Sequence, residues 1–247
     1  MSTNVFGTPV TNATVQEIYV GLPAASITAQ HRAEVALTYI NSGGKADDAR
    51  SFVADLKKQY GNGTSTLCTM YNATGNNLTF TRKHTWEGSV WRSPYPNILQ
   101  NGQWGAFLHV RERLMGPCKE ACMYRGQNLA GNAREWLLAW NVKRQNEPNK
   151  VYTEIRTGGV PNWNTVNNNM KPQSTNHSAT ALGCFSSVLV GSGSSPNYVA
   201  IMTLEGVNRD ATALATDVSA IFSSLDSQYR DDDGVDDYAD ATPTPAE

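Results

Sequence analysis

The chain has 247 residues, of which 40% are hydrophobic and only 17% charged, against about 25% charged in an ordinary soluble domain. Asn, Ser, Thr and Gly carry the polarity instead, which excludes a coiled coil and a wholly disordered chain, and the absence of any run of about 18 apolar residues excludes a membrane-spanning helix. All 20 Lys and Arg but only 15 of the 22 acidic residues precede Asp231, which leaves the body at +5 and the tail at −7. The start, MSTNVFGTPV, lacks the basic-then-apolar pattern of a secretory signal, so a cytoplasmic and also nuclear location is the expectation.

Residues 1–27 are rich in Thr, Pro and Gly and read as an irregular arm. Two helices follow within residues 28–62. Thr28 is an N-cap, Ala33, Ala36, Leu37 and Ile40 make a weak apolar stripe, and Ser42-Gly43-Gly44 ends the first helix. The second, over 46–60, has Ala49, Phe52, Val53, Leu56 and Tyr60 at helical spacing. Asp47 and Asp48 suit its N-terminal dipole, Lys57 and Lys58 its C-terminal end, and Gly61 stops it.

From residue 63 the apolar period changes from helical to alternating. Strands are expected at Thr66–Asn72, Leu78–Thr81, Trp86–Trp91, Gln103–Val110, Cys122–Arg125, Glu135–Trp140, Val151–Arg156, Cys184–Val190 and Tyr198–Leu204. Turn clusters such as Thr74-Gly75-Asn76-Asn77, Pro94-Tyr95-Pro96 and Asn101-Gly102 separate them. Strands without intervening helices predict a mainly β protein: a single antiparallel β-sandwich over 63–206, with two N-terminal helices packed on it and one C-terminal helix within 207–230. Trp136, Leu138 and Trp140 share one face of their strand, and Leu137 and Ala139 the other, so that strand is buried on both sides. The C-terminal helix, over 209–229, carries Ala211, Leu214, Val218, Phe222 and Leu225 as a stripe, and the acidic tail 231–247 is expected to be disordered.

All six tryptophans fall between Trp86 and Trp163, and from Arg82 to Arg156 there are 12 basic and 6 acidic residues. Most of these aromatics belong in a sandwich core. Those beside turns, Trp91, Tyr95 and Trp163, are candidates for a platform that stacks on a sugar or holds a lipid headgroup. Lys143, Arg144 and Lys150 cluster in one loop and are candidates for the anionic part of such a ligand. The basic residues are too dilute for specific nucleic-acid binding. The four cysteines allow three pairings, and without a secretory signal free buried thiols are the expectation. No second ligand pair accompanies Cys118 and Cys122, so no metal is expected. No nucleophile elbow, phosphate loop, dinucleotide fingerprint or HExxH is present, so no catalytic residue and no cofactor is assigned.

The segments YINSGGKADDARSFVADLKKQYGNG, STLCTMYNATGNNLTF, WEGSVWRSPYPNILQNGQWGAFLHV, VYTEIR and YVAIMTLEG resemble the plant 23 kDa jasmonate-induced protein family over roughly residues 4–206. The resemblance implies an intracellular stress- or wound-responsive protein and no established biochemical activity. The order of segments over about 66–156 is also similar to the actinoporin and fungal fruit-body lectin group of β-sandwiches, which bind headgroups or sugars. Where the pore formers of that group carry aromatics for a choline pocket, the loop Asn141–Lys150 has none. Its Lys143, Arg144 and Lys150 suit an anionic group better. The expected function is a non-enzymatic stress or defence protein whose partner is a glycan or a membrane lipid headgroup. The alternatives are a membrane-active, cytolysin-like protein and a regulatory or storage protein without a small ligand.

Overall fold

The computed structural model describes residues 4–114, 116–143 and 147–207. The helix expected over 209–229 and the acidic tail lie outside the described residues. In chain order the elements are β1 (Val5–Phe6), α1 (Asn12–Ile18), α2 (Ala29–Thr38), α3 (Lys45–Tyr60), β2 (Ser65–Ala73), β3 (Leu78–Glu87), β4 (Ser89–Trp91), β5 (Ile98–Leu99) and β6 (Trp104–Val110). There follow β7 (Cys118–Gln127), β8 (Ala133–Val142), β9 (Lys150–Arg156), α4 (Trp163–Met170), β10 (Asn176–Ala181), β11 (Cys184–Val190) and β12 (Asn197–Leu204).

The strands form the expected sandwich. One sheet runs β1-β6-β2-β12-β11-β10, with β4 also on β6, and the other runs β5-β3-β7-β8-β9. Every pairing is antiparallel except β12 with β2, which is parallel from Asn197↔Leu67 to Thr203↔Ala73. Between the sheets lie Trp136, Trp140, Tyr124, Phe107, Met70 and Tyr198, with Cys68, Cys118, Cys122 and Cys184 among them as free buried thiols.

The outer faces are covered too. Tyr71, Trp104 and Leu108 on the first sheet pack against Ala36, Ala49 and Val53 of α2 and α3. Ala121, Met123, Leu137 and Ala139 on the second sheet pack against Val166 and Met170 of α4. Both faces of β8 are therefore buried, as its sequence requires. α3 forms where the stripe and the charged ends place it.

Several expectations need correction. The arm is not irregular throughout: Thr11 and Thr14 form a capping box that starts α1, and Val15 is fully buried. The arm also adds β1 to the edge of β6, so the sandwich begins before residue 63. α4 escapes the sequence pattern because only Trp163, Val166 and Met170 mark its inner face among four Asn. Asn162 caps it by accepting from the Thr165 amide at 3.2 Å. β10 is too polar to signal a strand. The strand expected over Trp86–Trp91 divides at Gly88, where the chain leaves the second sheet for the first. Gly88 has φ +96°, and a Cβ there would lie 2.6 Å from the Val110 carbonyl oxygen, so only glycine makes that crossing.

Candidate functional site

The sequence candidates separate onto different layers. Trp91 lies on the first sheet, edge-on to Tyr60 of α3 (centroids 5.7 Å apart), with the Arg92 guanidinium 4.6 Å from its ring centre. Its indole is engaged on two sides, and it does not join the other candidates. Tyr95 points between the sheets: its ring stacks on Phe80 at 4.7 Å and meets Phe107 at 4.6 Å. Its hydroxyl donates to the buried carboxylate of Glu120. It is a core residue and not part of a platform.

Glu120 explains that placement. It is fully buried and also accepts from Thr85 Oγ1 at 3.0 Å, with His109 Nε2 2.6 Å from its other oxygen. Trp140 Nε1 donates to His109 Nδ1 at 3.1 Å, so the ring proton sits on Nε2 and is given to Glu120. Burial pushes the Glu120 carboxyl upward, but the hydrogen bonds from His109 and Tyr95 outweigh it and hold it below the usual carboxylate range. Apart from Lys83, whose half-exposed ammonium lies 3.7 Å from Glu120, this network is closed within the core.

Trp163 and Lys150 lie at the two ends of α4 on the outer face of the second sheet, and Lys143 lies near Lys119 on the same side. Trp163 opens α4 and stacks flat on His84 (4.6 Å, 6°), and both meet Trp86 edge-on. Burial lowers the pKa of His84, so at neutral pH the ring is an uncharged stacking partner. Strand pairing then sets Glu87, Lys119, Asn141 and Lys150 in one row across four strands. The Lys119 ammonium sits 5.4 Å from the Trp86 ring centre and donates to Asn167 Oδ1 at 2.5 Å. Burial lowers its pKa first, and the nearby charges of Lys171 and Lys143 lower it further. The Lys150 ammonium donates to the Lys171 carbonyl, and Lys143 pairs with Glu147. Arg144 lies outside the described residues.

The result is a half-exposed indole and imidazole cluster beside four lysines, answered nearby by Glu87 and Glu147. Sequence reading missed Trp86, His84 and Lys119 because it placed Trp163 in a loop; the alternation of β3 and β7 puts all three on the outer face. Clustered cations raise the local potential for an anion. Among the described residues no three His, Cys, Asp or Glu side chains are placed to share a metal ion.

The model of the Nakanori-like protein family matches residues 6–205. The 23 kDa jasmonate-induced protein of Hordeum vulgare is 38% identical over 204 residues, covering 80% of this chain and 96% of that protein. A jasmonate-induced protein homolog of Atriplex canescens is 31% identical over 105 residues, 41% of this chain and 55% of that protein. Among solved structures, the lipid binding protein Nakanori superposes with a TM-score of 0.67 at 20% identity, covering 80% of this chain and 98% of that chain. The resemblance read from the sequence segments therefore holds, and the structural match supports the sandwich fold.

Proposed function

Because the chain belongs to the Nakanori-like protein family, we propose that it is a non-enzymatic binding protein of the plant stress response whose face around α4 recognises an anionic lipid headgroup. The observation that carries this reading is the joining of Trp86, His84 and Trp163 with Lys119, Lys143, Lys150 and Lys171 on one face. Indoles settle at the boundary between headgroup and acyl chain, and lysines add roughly 1 kcal/mol each near an anionic surface. A cytoplasmic protein would meet such a surface on the inner leaflets. The relatives lend support: two are named jasmonate-induced, and one structural neighbour is named a lipid binding protein. Among the described residues no helix is long and apolar enough to cross a membrane, so the reading is one of surface attachment.

Sedimentation with vesicles tests it. Binding should appear with phosphatidylserine or phosphatidic acid, be absent with phosphatidylcholine alone, and weaken as salt shortens the screening length to about 10 Å at 0.1 M. Replacing Lys150 and Lys171 by Gln removes two surface charges, about 2 kcal/mol or 30-fold in affinity. Trp163→Ala should weaken binding without unfolding the sandwich. Equal binding to neutral and anionic vesicles, or no effect of either change, would reject this face. Dye release from the same vesicles would instead favour a cytolysin-like action.

A further inference from the structure

A second concave site lies at the opposite end of the second sheet. It is a cleft of about 470 Å³ between residues 9–12 of the N-terminal arm, the β2–β3 turn, the β5–β6 turn, α2 and the end of β7, within the range of small-molecule sites. β7 carries Lys119 of the basic face at its start and Gln127 of this cleft at its end. Eight steps along the strand separate the two by about 26 Å.

The cleft is firmly built. Gly75 has φ +74°, and a Cβ there would lie 2.0 Å from the Ala29 carbonyl oxygen, so the turn can only lie this close to α2 as glycine. Asn101 is buried and ties three segments together. Its Oδ1 accepts from the Gly75 amide at 2.8 Å, and its Nδ2 donates to the Arg32 and Val10 carbonyls at 3.0 and 3.1 Å.

Arg32 is the cleft's only charged lining residue among the described residues. Its Nε donates to the Gly75 carbonyl at 2.7 Å, and its two terminal nitrogens donate to Asn12 Oδ1 at 2.8 Å and Asn76 Oδ1 at 3.3 Å. All three acceptors are neutral, and no ion pair joins Arg32 to a described acidic side chain. A guanidinium has five N–H donors, so one remains on each terminal nitrogen of a half-buried, oriented and uncompensated cation. Around it the side chains of Asn77, Gln100 and Gln127 are exposed and make no hydrogen bond within the described residues. Each amide offers donors and an acceptor, the complement of neighbouring hydroxyls. Among the described residues no aromatic lines the cleft, so none of them selects a ring by stacking.

We propose that this cleft binds a small, hydroxyl-rich monoanion: a carboxylate-bearing sugar, its carboxylate on Arg32 and its hydroxyls on the surrounding amides. One cation without a lysine beside it matches one unit of negative charge, which favours a carboxylate over a phosphate dianion. The test is a titration of the full chain followed by amide NMR shifts, with sodium galacturonate, methyl galactoside and inorganic phosphate as probes. Galacturonate should shift the resonances of Asn12, Asn76, Asn77, Gln100 and Gln127 and bind at least tenfold more tightly than the uncharged galactoside. Arg32→Gln should reduce that affinity at least tenfold. Because Arg32 also holds three segments together, Asn77→Ala with Gln127→Ala, both exposed, gives an independent variant that keeps the fold and loses affinity severalfold. Equal affinity for galactoside and galacturonate, stronger binding of phosphate, no shift in the cleft at millimolar galacturonate, or full binding by the double variant would each overturn the proposal.

Discussion

Replacing Glu120 tests how the sandwich tolerates a carboxylate at its centre. In Glu120→Ala the His109 Nε2 proton and the hydroxyls of Tyr95 and Thr85 lose their shared acceptor inside the core. Each buried donor left unsatisfied costs roughly 1–3 kcal/mol, and breaking a buried charge-assisted group costs about 3–5 kcal/mol in all. Lys83, 3.7 Å away and half-exposed, adds little. A loss of about 4 kcal/mol is expected, a large share of the roughly 5–15 kcal/mol that holds a domain folded. Glu120→Gln keeps the shape. Its carbonyl must face His109, because Trp140 fixes the ring proton on Nε2, and its amide can donate to the two hydroxyls. The charge assistance is lost, and the Tyr95 and Thr85 hydroxyl protons must turn away from a nitrogen that cannot accept them, so a smaller loss of about 2 kcal/mol is expected. Because the Glu120 carboxyl is held below its usual range, its stabilisation is complete above the unfolded value and disappears as pH falls through the folded one. Urea unfolding followed by tryptophan fluorescence should therefore show the gap between wild type and Glu120→Gln closing on acidification. A loss under about 1 kcal/mol for Glu120→Ala, or a gap unchanged between neutral and strongly acidic pH, would refute the reasoning.

Three further outcomes are expected. Lys45 is buried, donates to Tyr71 Oη at 3.2 Å and to the Gly102 carbonyl at 2.8 Å, and burial lowers its pKa to about 8. The unfolded chain keeps that proton to about 10.5, so wild-type stability should rise relative to Lys45→Met between these pH values, by up to about 3 kcal/mol; parallel stability–pH curves would argue against it. Gly75→Ala meets the Ala29 carbonyl at 2.0 Å with φ +74°, so it should lose more than about 3 kcal/mol, and a melting temperature within a few degrees of wild type would contradict that. Burial pushes the Cys118 and Cys184 thiols up to about 12, and Cys68 and Cys122 well above their ordinary value; these thiols should react with a thiol reagent only on unfolding, and a fast reaction of the native protein would show an open path to the core.

Where a segment's own residues decide its conformation, the sequence is readable. α3 has a stripe and matched charges at both ends within its 16 residues, and a glycine stop directly after them. β8 is apolar on both faces, and that alone states that something covers each side of its sheet. What covers the outer side is α4, whose eight residues hold only three apolar contacts and four Asn. Its stability comes from the sheet beneath, so its own pattern says little. The parallel pairing of β12 with β2 joins segments about 130 residues apart, and no local periodicity encodes such a partner. The Gly88 crossing is likewise fixed by the closeness of Val110, which is distant in sequence.

The candidate site divides by the same logic. Tyr95 stands in a proline-flanked turn and reads as a surface aromatic, yet its orientation is set by a carboxylate 25 residues further along the chain. Trp91 and Trp163 both sit beside turns, but one is claimed by α3 on the first sheet and the other by His84 on the second. Lys143 and Lys150 were legible as a pair because one loop holds them. Lys119 was not, since only the register of β7 against β8 and β9 brings it into their row. The second site was hidden for a different reason. Gly75, Asn76, Asn77, Gln100 and Asn101 lie in segments that carried the family resemblance, whereas Arg32, Gln127 and residues 9–12 do not, and Asn, Gln and a single Arg look like ordinary turn polarity until the arm, α2, two turns and the end of β7 close around them. A site made of amides gains its character from convergence, whereas a site made of indoles and lysines announces its chemistry one residue at a time. The two proposed surfaces thus lie at opposite ends of one sheet, the first proposed for an extended anionic plane and the second for a small hydroxylated anion, and composition alone foreshadowed only the first.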